Sequence, residues 1–561
     1  MAFITVAGFL AGPGFERMRQ GLRQRCQEIW VIDCSPEGHQ PATSTRIFQA
    51  VQQPICIVLA ARWRNAPAGG LARVRWRALP TGSRGEKFDA LKAIRLDDSG
   101  WQNCAEDVEG RAPFLPAASN AWADFPALED FFVYGGSGVQ PMRVWVIAPD
   151  ADSLKRRWKA LVEAPADRKQ HLFHPTLRGG VPADRHIDSV LRSPLPGFAG
   201  SLTPLAKEAG ACPSPVRYGA RSFDRQWIIP DARVITQPNA ILWQSWSEGQ
   251  VYLTALHDRH PGIGPAISFT GLPPDKHHFK GSFGGKAFPL WLEADASRHN
   301  IRPALLAYLT QVLGTSVEAE AVLAYIAAVA GHPGFTARFD EDLASPGLRI
   351  PLTASLELFR ETAELGRRVV WLHTFGDRFV DASKGRPRGP PRLSPTRRPQ
   401  IPTDGAISSG PESMPNTMGY DANKERLLVG AGYVTPVPFA TWDYRVSGKQ
   451  VLLQWFNNRK KMREKPQIGD RREPSPLGDI QPESWPAEYT TELLNMLNVL
   501  GLLVDLEPQA ANLLERICAG PLITEGALRA ERVYFPEGHV PATAAAQQSL
   551  DLSPPADGET A

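Results

Sequence analysis

The first 80 residues alternate strand and helix, and that alternation restricts the fold more than any other feature of this 561-residue chain. FITV (Phe3 to Val6) is a short strand candidate, and Gly8, Gly12, Pro13 and Gly14 punctuate a turn after it. Phe15, Met18, Leu22 and Cys26 then recur at intervals of three and four, while Arg17, Arg19, Arg23 and Arg25 lie largely elsewhere. That spacing predicts an amphipathic helix. EIWVIDC (Glu28 to Cys34) and ICIVLAAR (Ile55 to Arg62) read as buried strands. Gly69 and Gly70 then turn into LARVRWRAL (Leu71 to Leu79), whose alternation predicts a hairpin with the strand before it. The pattern is α/β, but too short for a complete nucleotide-binding sheet; it corresponds to the last third of one.

Beyond it the chain is heavily punctuated, with 48 glycines and 51 prolines. Ordinary usage is about 7% and 5%, so loops and short elements are expected. The length allows two to four domains. Trp101, Trp122, Trp145 and Trp158 are expected to pack small cores in a mixed region over 86–210. Helices are predicted over 152–164, 302–313, 318–330, 355–365 and 487–518. RQWIIPDARVI, ILWQSW, QVYLTAL, RRVVWLHTF (Arg367 to Phe375), RLLVGAGYV and VLLQWF read as strands. Residues 383–415 begin SKGRPRGPPRLSPTRRPQ, with no acidic residue through Gln400, and read as an extended surface loop or linker. The tail over 536–561 is rich in Ala, Pro and Gln and is expected to be disordered.

Several chemistries are missing. KGSFGGKAF (Lys280 to Phe288) approaches a phosphate loop, but Ala287 follows Lys286 where a hydroxyl for magnesium is needed. YGGSG (Tyr134 to Gly138) reads as a turn, and no serine elbow occurs. The six cysteines are scattered singly and the 12 histidines form no HExxH, so neither a metal site nor a disulfide framework is expected. No run of about 18 apolar residues predicts a membrane span, and a cytoplasmic setting is expected. The formal charge is only +3, so any nucleic-acid surface must arise from local clustering. Three segments provide it: RYGARSFDRQW, with Arg217, Arg221 and Arg225; KHHFKGSF, with Lys276, His278 and Lys280; and WFNNRKKMREK, with Arg459, Lys460 and Arg463. Cations that neutralise phosphates beside groups that read base edges are what such a surface needs. Each cluster alone is equally compatible with an ordinary solvated face.

The opening segments FITVAGFLAGPGFERMRQGL, EIWVIDC, RIF and ICIVLAAR resemble the stretch that follows the catalytic motif of amino-group (adenine) DNA methyltransferases. The later segments RSFDRQWIIPDARVI, GPAISFTGLPPDKHHFKGSFGGKAFPLW, HPGFTARFDEDL, VVWLHTFGDRF, YRVSGKQVLLQWF and SPLGDIQPESWPAEYTTELLNMLNVL resemble the C-terminal region of type ISP restriction-modification enzymes. The resemblance runs from residue 1 to about 525. It implies a partial Rossmann-like methyltransferase sheet over 1–85, a connecting region over 86–210, and a mixed α+β DNA target-recognition domain over 211–535.

The family's cofactor glycine motif and its catalytic [DNS]PP[YFW] are not matched; the Pro-Pro pairs lie in LPPD, GPPR and SPPA. No catalytic, metal or cofactor residue is therefore assigned, and S-adenosylmethionine is implied only for the complete family enzyme. The resemblance implies double-stranded DNA as partner, with Arg221, Arg225, Lys276, His278, Lys280, Arg459 and Lys460 as contacts. Asp224 is an alternative partner for Arg221 or Arg225, while Phe283, Trp291, Trp371, Trp455 and Tyr489 are expected in cores. Three functions are open: the recognition part of an adenine-specific methyltransferase completed by a separate catalytic chain, a non-catalytic DNA-binding remnant, or an interaction protein whose half-sheet pairs with such a chain.

Overall fold

The computed structural model describes residues 1–11, 15–36, 47–48, 54–63, 70–104, 110–116, 120–174, 177–178, 181–182, 186–191, 193–281, 284–344, 347–461 and 475–533. Phe283, Arg463 and the 536–561 tail lie outside them. The architecture is mixed α/β with several small sheets, and its contacts separate two units. Unit 1 comprises Met1–Phe125 with Asp258–His260 and Phe339–Arg349; unit 2 holds the remainder.

In unit 1, β1 (Ala2–Val6), α1 (Glu16–Arg25), β2 (Glu28–Asp33), β3 (Ile55–Ala61) and β4 (Arg73–Ala78) follow the predicted order, and α2 (Arg84–Ala93) and β5 (Gln102–Asn103), which were not predicted, come after them. The sheet order is β1-β3-β2-β4-β5. The expected hairpin between ICIVLAAR and LARVRWRAL does not form. β3 is enclosed by β1 and β2, antiparallel to both, and β4 instead pairs with β2 in parallel. Both edges of β3 are thus used before β4 is reached, which local alternation cannot reveal. Phe9, Ile29, Val31, Val58 and Phe114 pack one face; Ile32, Ile55 and Leu79 lie in a second cluster. β1 is an edge strand, and its Ile4 and Val6 are 54% and 42% exposed.

Unit 2 contains α3 (Ala151–Val162), β6 (Val216–Arg221), β7 (Asp224–Ile228), α4 (Ala240–Gln244), β8 (Tyr252–Ala255), β9 (Ile267–Thr270) and β10 (Lys286–Pro289). There follow α5 (Pro303–Leu313), α6 (Ala319–Ala330), α7 (Leu356–His373), β11 (Met418–Asp421), β12 (Arg426–Val429), β13 (Gly432–Val434), α8 (Val451–Asn457) and α9 (Ala487–Ala519). Trp145, Trp158, Tyr218 and Trp243 sit in one of its apolar clusters. Three predicted strands are helical. ILWQSW contributes α4, VLLQWF is α8, and RRVVWLHTF is the second half of α7. Val369, Val370, Trp371, Leu372 and His373 are all buried, so the polar face that marks a helix in sequence is missing there. In α8 the buried positions Val451, Leu452, Trp455 and Phe456 have helical spacing, but over only seven residues.

α6 and α7 approach unusually closely. A Cβ placed on Gly366 would lie 1.6 Å from the Ala324 carbonyl oxygen. Beside this crossing the Tyr325 and Phe359 rings stack at 5.1 Å, and the Tyr325 hydroxyl donates to the Pro351 carbonyl at 2.8 Å. Ser355 starts α7 by accepting from the Leu358 N–H. Gly366→Ala should force the helices apart and lower unfolding free energy by about 1–3 kcal/mol despite its helix propensity. Urea unfolding checks this; unchanged stability would show that the crossing can expand freely.

Candidate nucleic-acid interface

The β6–β7 hairpin gathers the three basic segments. Its turn is tight: Phe223 has φ 63°, and the ladder shifts register between Gly219 and Arg221. On one side it holds the loop Asp275–Gly281. Arg221 pairs with Asp275 at 3.1 Å, the Ser222 N–H donates to the His278 carbonyl at 2.7 Å, and the Tyr218 hydroxyl donates to Asp275 at 2.8 Å. Gly219 permits this docking, because a Cβ there would meet the His278 ring at 3.2 Å. On the other side the hairpin holds the end of α8. The Asp224 carboxylate lies 2.8 Å from the Arg459 guanidinium and accepts from the Asn458 amide at 2.9 Å and the Gln226 amide at 2.7 Å.

Arg459 is the hub of this side. Its side chain is 0% exposed, stacked 4.2 Å from the Trp455 ring centroid and 5.4 Å from that of Tyr489. Its second carboxylate is Glu492 of α9, at 3.7 Å. Glu492 also lies 3.1 Å from Arg217 and 3.5 Å from Arg225, and Arg217 reaches Glu488 at 2.7 Å. Arg225 covers the Phe375 ring at 3.8 Å, and Arg217 covers Trp227 at 4.4 Å. Burial pulls the Arg225 guanidinium below its ordinary value, and the neighbouring Glu492 opposes that pull.

These contacts revise the residue expectations. Arg459 is an internal brace, not a surface contact, because two carboxylates and two rings enclose it. His278 is also internal: it is 2% exposed, and its Nδ1 shares a 2.9 Å hydrogen bond with the Thr254 hydroxyl. Arg225 is half-buried and committed to Glu492 and Phe375. Asp224 holds Arg459, rather than Arg221 or Arg225. Arg221, Lys276, Lys280 and Lys460 remain on partly exposed positions along the rim of the hairpin assembly. Trp371, Trp455 and Tyr489 are buried, while Trp291 is half-buried. Sequence reasoning missed Glu492 and Asp275, the carboxylates that organise the cations. Their only signal was an acid beside the apolar run Leu493–Leu500 and an acid before a basic run.

The residues around one cavity of unit 1 do not fit S-adenosylmethionine. This cavity, of about 560 Å³, is lined by Trp30, Arg75, Asp98 and Trp101 among others. Its Asp98 carboxylate is already taken by Arg77 at 2.6 Å and by the Gly100 and Arg95 N–H groups. No glycine-rich turn lines it, so no methyl-transfer step is assigned to this chain. Among the described residues no group of three His, Cys, Asp or Glu side chains is placed to hold a metal, and no helix is long and apolar enough to cross a membrane.

Comparison with known proteins gives one family and several similar solved structures. A family model described as the Type ISP C-terminal specificity domain matches residues 130–496, a span that includes every residue of the hairpin assembly. The structure is similar to a solved DrdV–DNA complex at 14% identity and a TM-score of 0.57, covering 91% of this chain and 50% of that one. It is similar to the ATP-dependent Type ISP restriction-modification enzyme LlaBIII bound to DNA at 13% identity and a TM-score of 0.59, covering 92% and 32%. A nuclease-deletion mutant of the Type ISP enzyme LlaGI, in complex with a DNA substrate mimic, matches at 14% identity and a TM-score of 0.56, covering 92% and 39%. The chain thus spans half or less of the length of these solved chains. No curated protein sequence matches it.

Arg459→Ala should cost about 3–5 kcal/mol, because it strands the buried Asp224 and Glu492 carboxylates. Denaturant unfolding measures this; a loss below about 1 kcal/mol would remove Arg459 as the brace. Acid should weaken the same region. Burial, with Arg221 and His373 nearby, holds His278 down at about 3, and burial alone holds His373 at about 3. In the unfolded chain both protonate near 6.5, so their contribution to stability is complete above about 6.5 and is lost as pH falls towards 3. The midpoint of thermal unfolding should therefore drop between pH 7 and pH 5. His278→Gln with His373→Gln should flatten that slope, and an equal slope in the double variant would contradict it.

Proposed function

The chain belongs to the Type ISP C-terminal specificity domain family, and from that premise we propose that it reads DNA sequence as the recognition part of an adenine-specific methyltransferase in a restriction-modification system. The observation that carries this reading is the convergence of three basic segments, far apart in sequence, on the β6–β7 hairpin within the family-matched span. Internal carboxylates fix the hairpin's geometry, and Arg221, Lys276, Lys280 and Lys460 form the rim that meets the phosphates. DNA in the solved relatives supports the same partner.

Unit 1 we read as the closing part of a Rossmann-like methyltransferase sheet, with strand, helix, strand order and a reversed strand between two others. Methyl transfer then needs S-adenosylmethionine and the cofactor and catalytic motifs that this chain does not match. One observation favours a further strand beside unit 1. Met1 and Ala60 exchange backbone hydrogen bonds, and Ala7 donates to Pro54, so alternation turns the N–H and C=O groups of Ala2, Ile4 and Val6 away from β3. Such an apolar edge is a template for a further strand.

Salt-titrated binding of the purified chain to duplex DNA tests the reading. Affinity should fall linearly on logarithmic axes, and Lys276→Ala with Lys280→Ala should reduce the slope by nearly 2, about 0.9 per lost phosphate contact. Binding that ignores salt, or no binding at low salt, would overturn it. Mixing the chain with a polypeptide that carries the catalytic motifs and labelled methyl donor tests the partner. Methylation by the mixture alone is expected; DNA binding without methylation would leave the non-catalytic remnant.

A further inference from the structure

We infer that the segment Lys384–Arg398 is a second, preorganised contact surface for the DNA phosphate backbone, separate from the hairpin rim; this rests on the DNA-reading proposal above. The segment is not a loose linker. The Trp371 indole donates to the Pro387 carbonyl at 3.0 Å, the Gly389 N–H donates to Gly376 at 3.2 Å, and the Leu393 N–H donates to the Asn498 amide oxygen of α9 at 2.8 Å. Leu393 is buried. A chain fixed in this way presents its side chains with little backbone entropy left to lose on binding.

Its six cations divide into two kinds. Arg386 is buried and pairs with Glu364, and Arg397 pairs with Asp505 at 2.8 Å. These two are occupied by the fold. Lys384 and Arg388 are exposed and make no side-chain hydrogen bond or ion pair among the described residues. Arg392 donates to the Asn495 amide oxygen at 2.6 Å and to the Pro391 carbonyl, and Arg398 donates to the Leu393 carbonyl at 3.4 Å. Neither meets a carboxylate, and the buried Arg398 Nε has no acceptor.

Like charges are also set against one another. Burial and the neighbouring Arg398 pull Arg392 below its ordinary value. Burial does the same to Arg378, where Arg388 adds to the pull and Asp377 opposes it. Arg378 spends its donors on the Gln250, Ser247 and Gly271 carbonyls. Four cations without a carboxylate partner among the described residues, on a pinned and repeatedly turning segment, leave charge that an external anion can neutralise. A row of phosphodiesters offers anions in series without demanding base-specific geometry.

The test is fluorescence anisotropy with the full chain, a DNA duplex and several salt concentrations. Lys384→Ala with Arg388→Ala removes two side chains that hold nothing in the fold, so the thermal midpoint should stay unchanged. The salt slope should fall by nearly 2, and affinity should fall by a similar factor on unrelated sequences, because phosphates carry no sequence information. Arg397→Ala, on the same segment but paired with Asp505, should change the slope far less. If the wild-type chain binds with salt dependence and the double variant keeps the same slope and affinity, this surface is excluded and the hairpin rim stands. If the wild-type chain itself fails to bind at low salt, the DNA-reading proposal falls and takes this one with it.

Discussion

A buried guanidinium between two carboxylates holds the recognition unit together. Arg459 joins three separate pieces of chain: Asp224 at the hairpin, Trp455 on its own helix, and Glu492 and Tyr489 on α9. Charges of this kind lose several kcal/mol of hydration when buried, and that loss is recovered only with close partners. The arrangement therefore stabilises one geometry of hairpin against helix and penalises others strongly. Because the Asp275 loop is docked on the same hairpin, the position of every cation along the rim follows from this contact.

Much of the architecture was legible wherever a pattern extended over ten residues or more. The α6 run from Ala319 and the Leu493 to Leu500 face of α9 form as their spacing predicts, whereas α1 is helical but buries Arg19 and Arg23 and leaves Met18 48% exposed, the reverse of its apolar stripe. Misreadings fell on short or fully buried runs. Val369 to Leu372 are apolar on every side, so helix and strand look alike there, and only packing against α6 decides. Strand pairing in unit 1 was hidden for another reason: β3 inserts between β1 and β2, a long-range choice that no local alternation encodes.

The candidate site was legible as a set of segments and not as a set of contacts. Basic residues interleaved with aromatics marked each of the three segments, though not that the fold brings them to one hairpin. The same interleaving also describes a cation stacked on a ring inside a core, as Arg459 on Trp455 and Arg225 on Phe375 are. What separates the two uses is a carboxylate from elsewhere in the chain. Glu492 lies hundreds of residues from Arg217 and Arg225, so sequence alone could not tell which arginines were already occupied. The 383–400 segment shows the converse. Its prolines suggested a tether, yet Asn495 and Asn498 fasten it to α9.

Helix α9 consequently acts as a ruler. Glu488 and Glu492 address the hairpin, and one turn further on Asn495 and Asn498 address the Lys384–Arg398 segment. Each residue of an α-helix advances the axis by about 1.5 Å and turns it by about 100°. The spacing between the two basic regions is thus counted in residues of a single rod. Inserting one alanine between Glu492 and Asn495 would leave the charge untouched, yet would swing one region by about 100° relative to the other. Phase along this helix sets how the two basic regions are turned relative to one another.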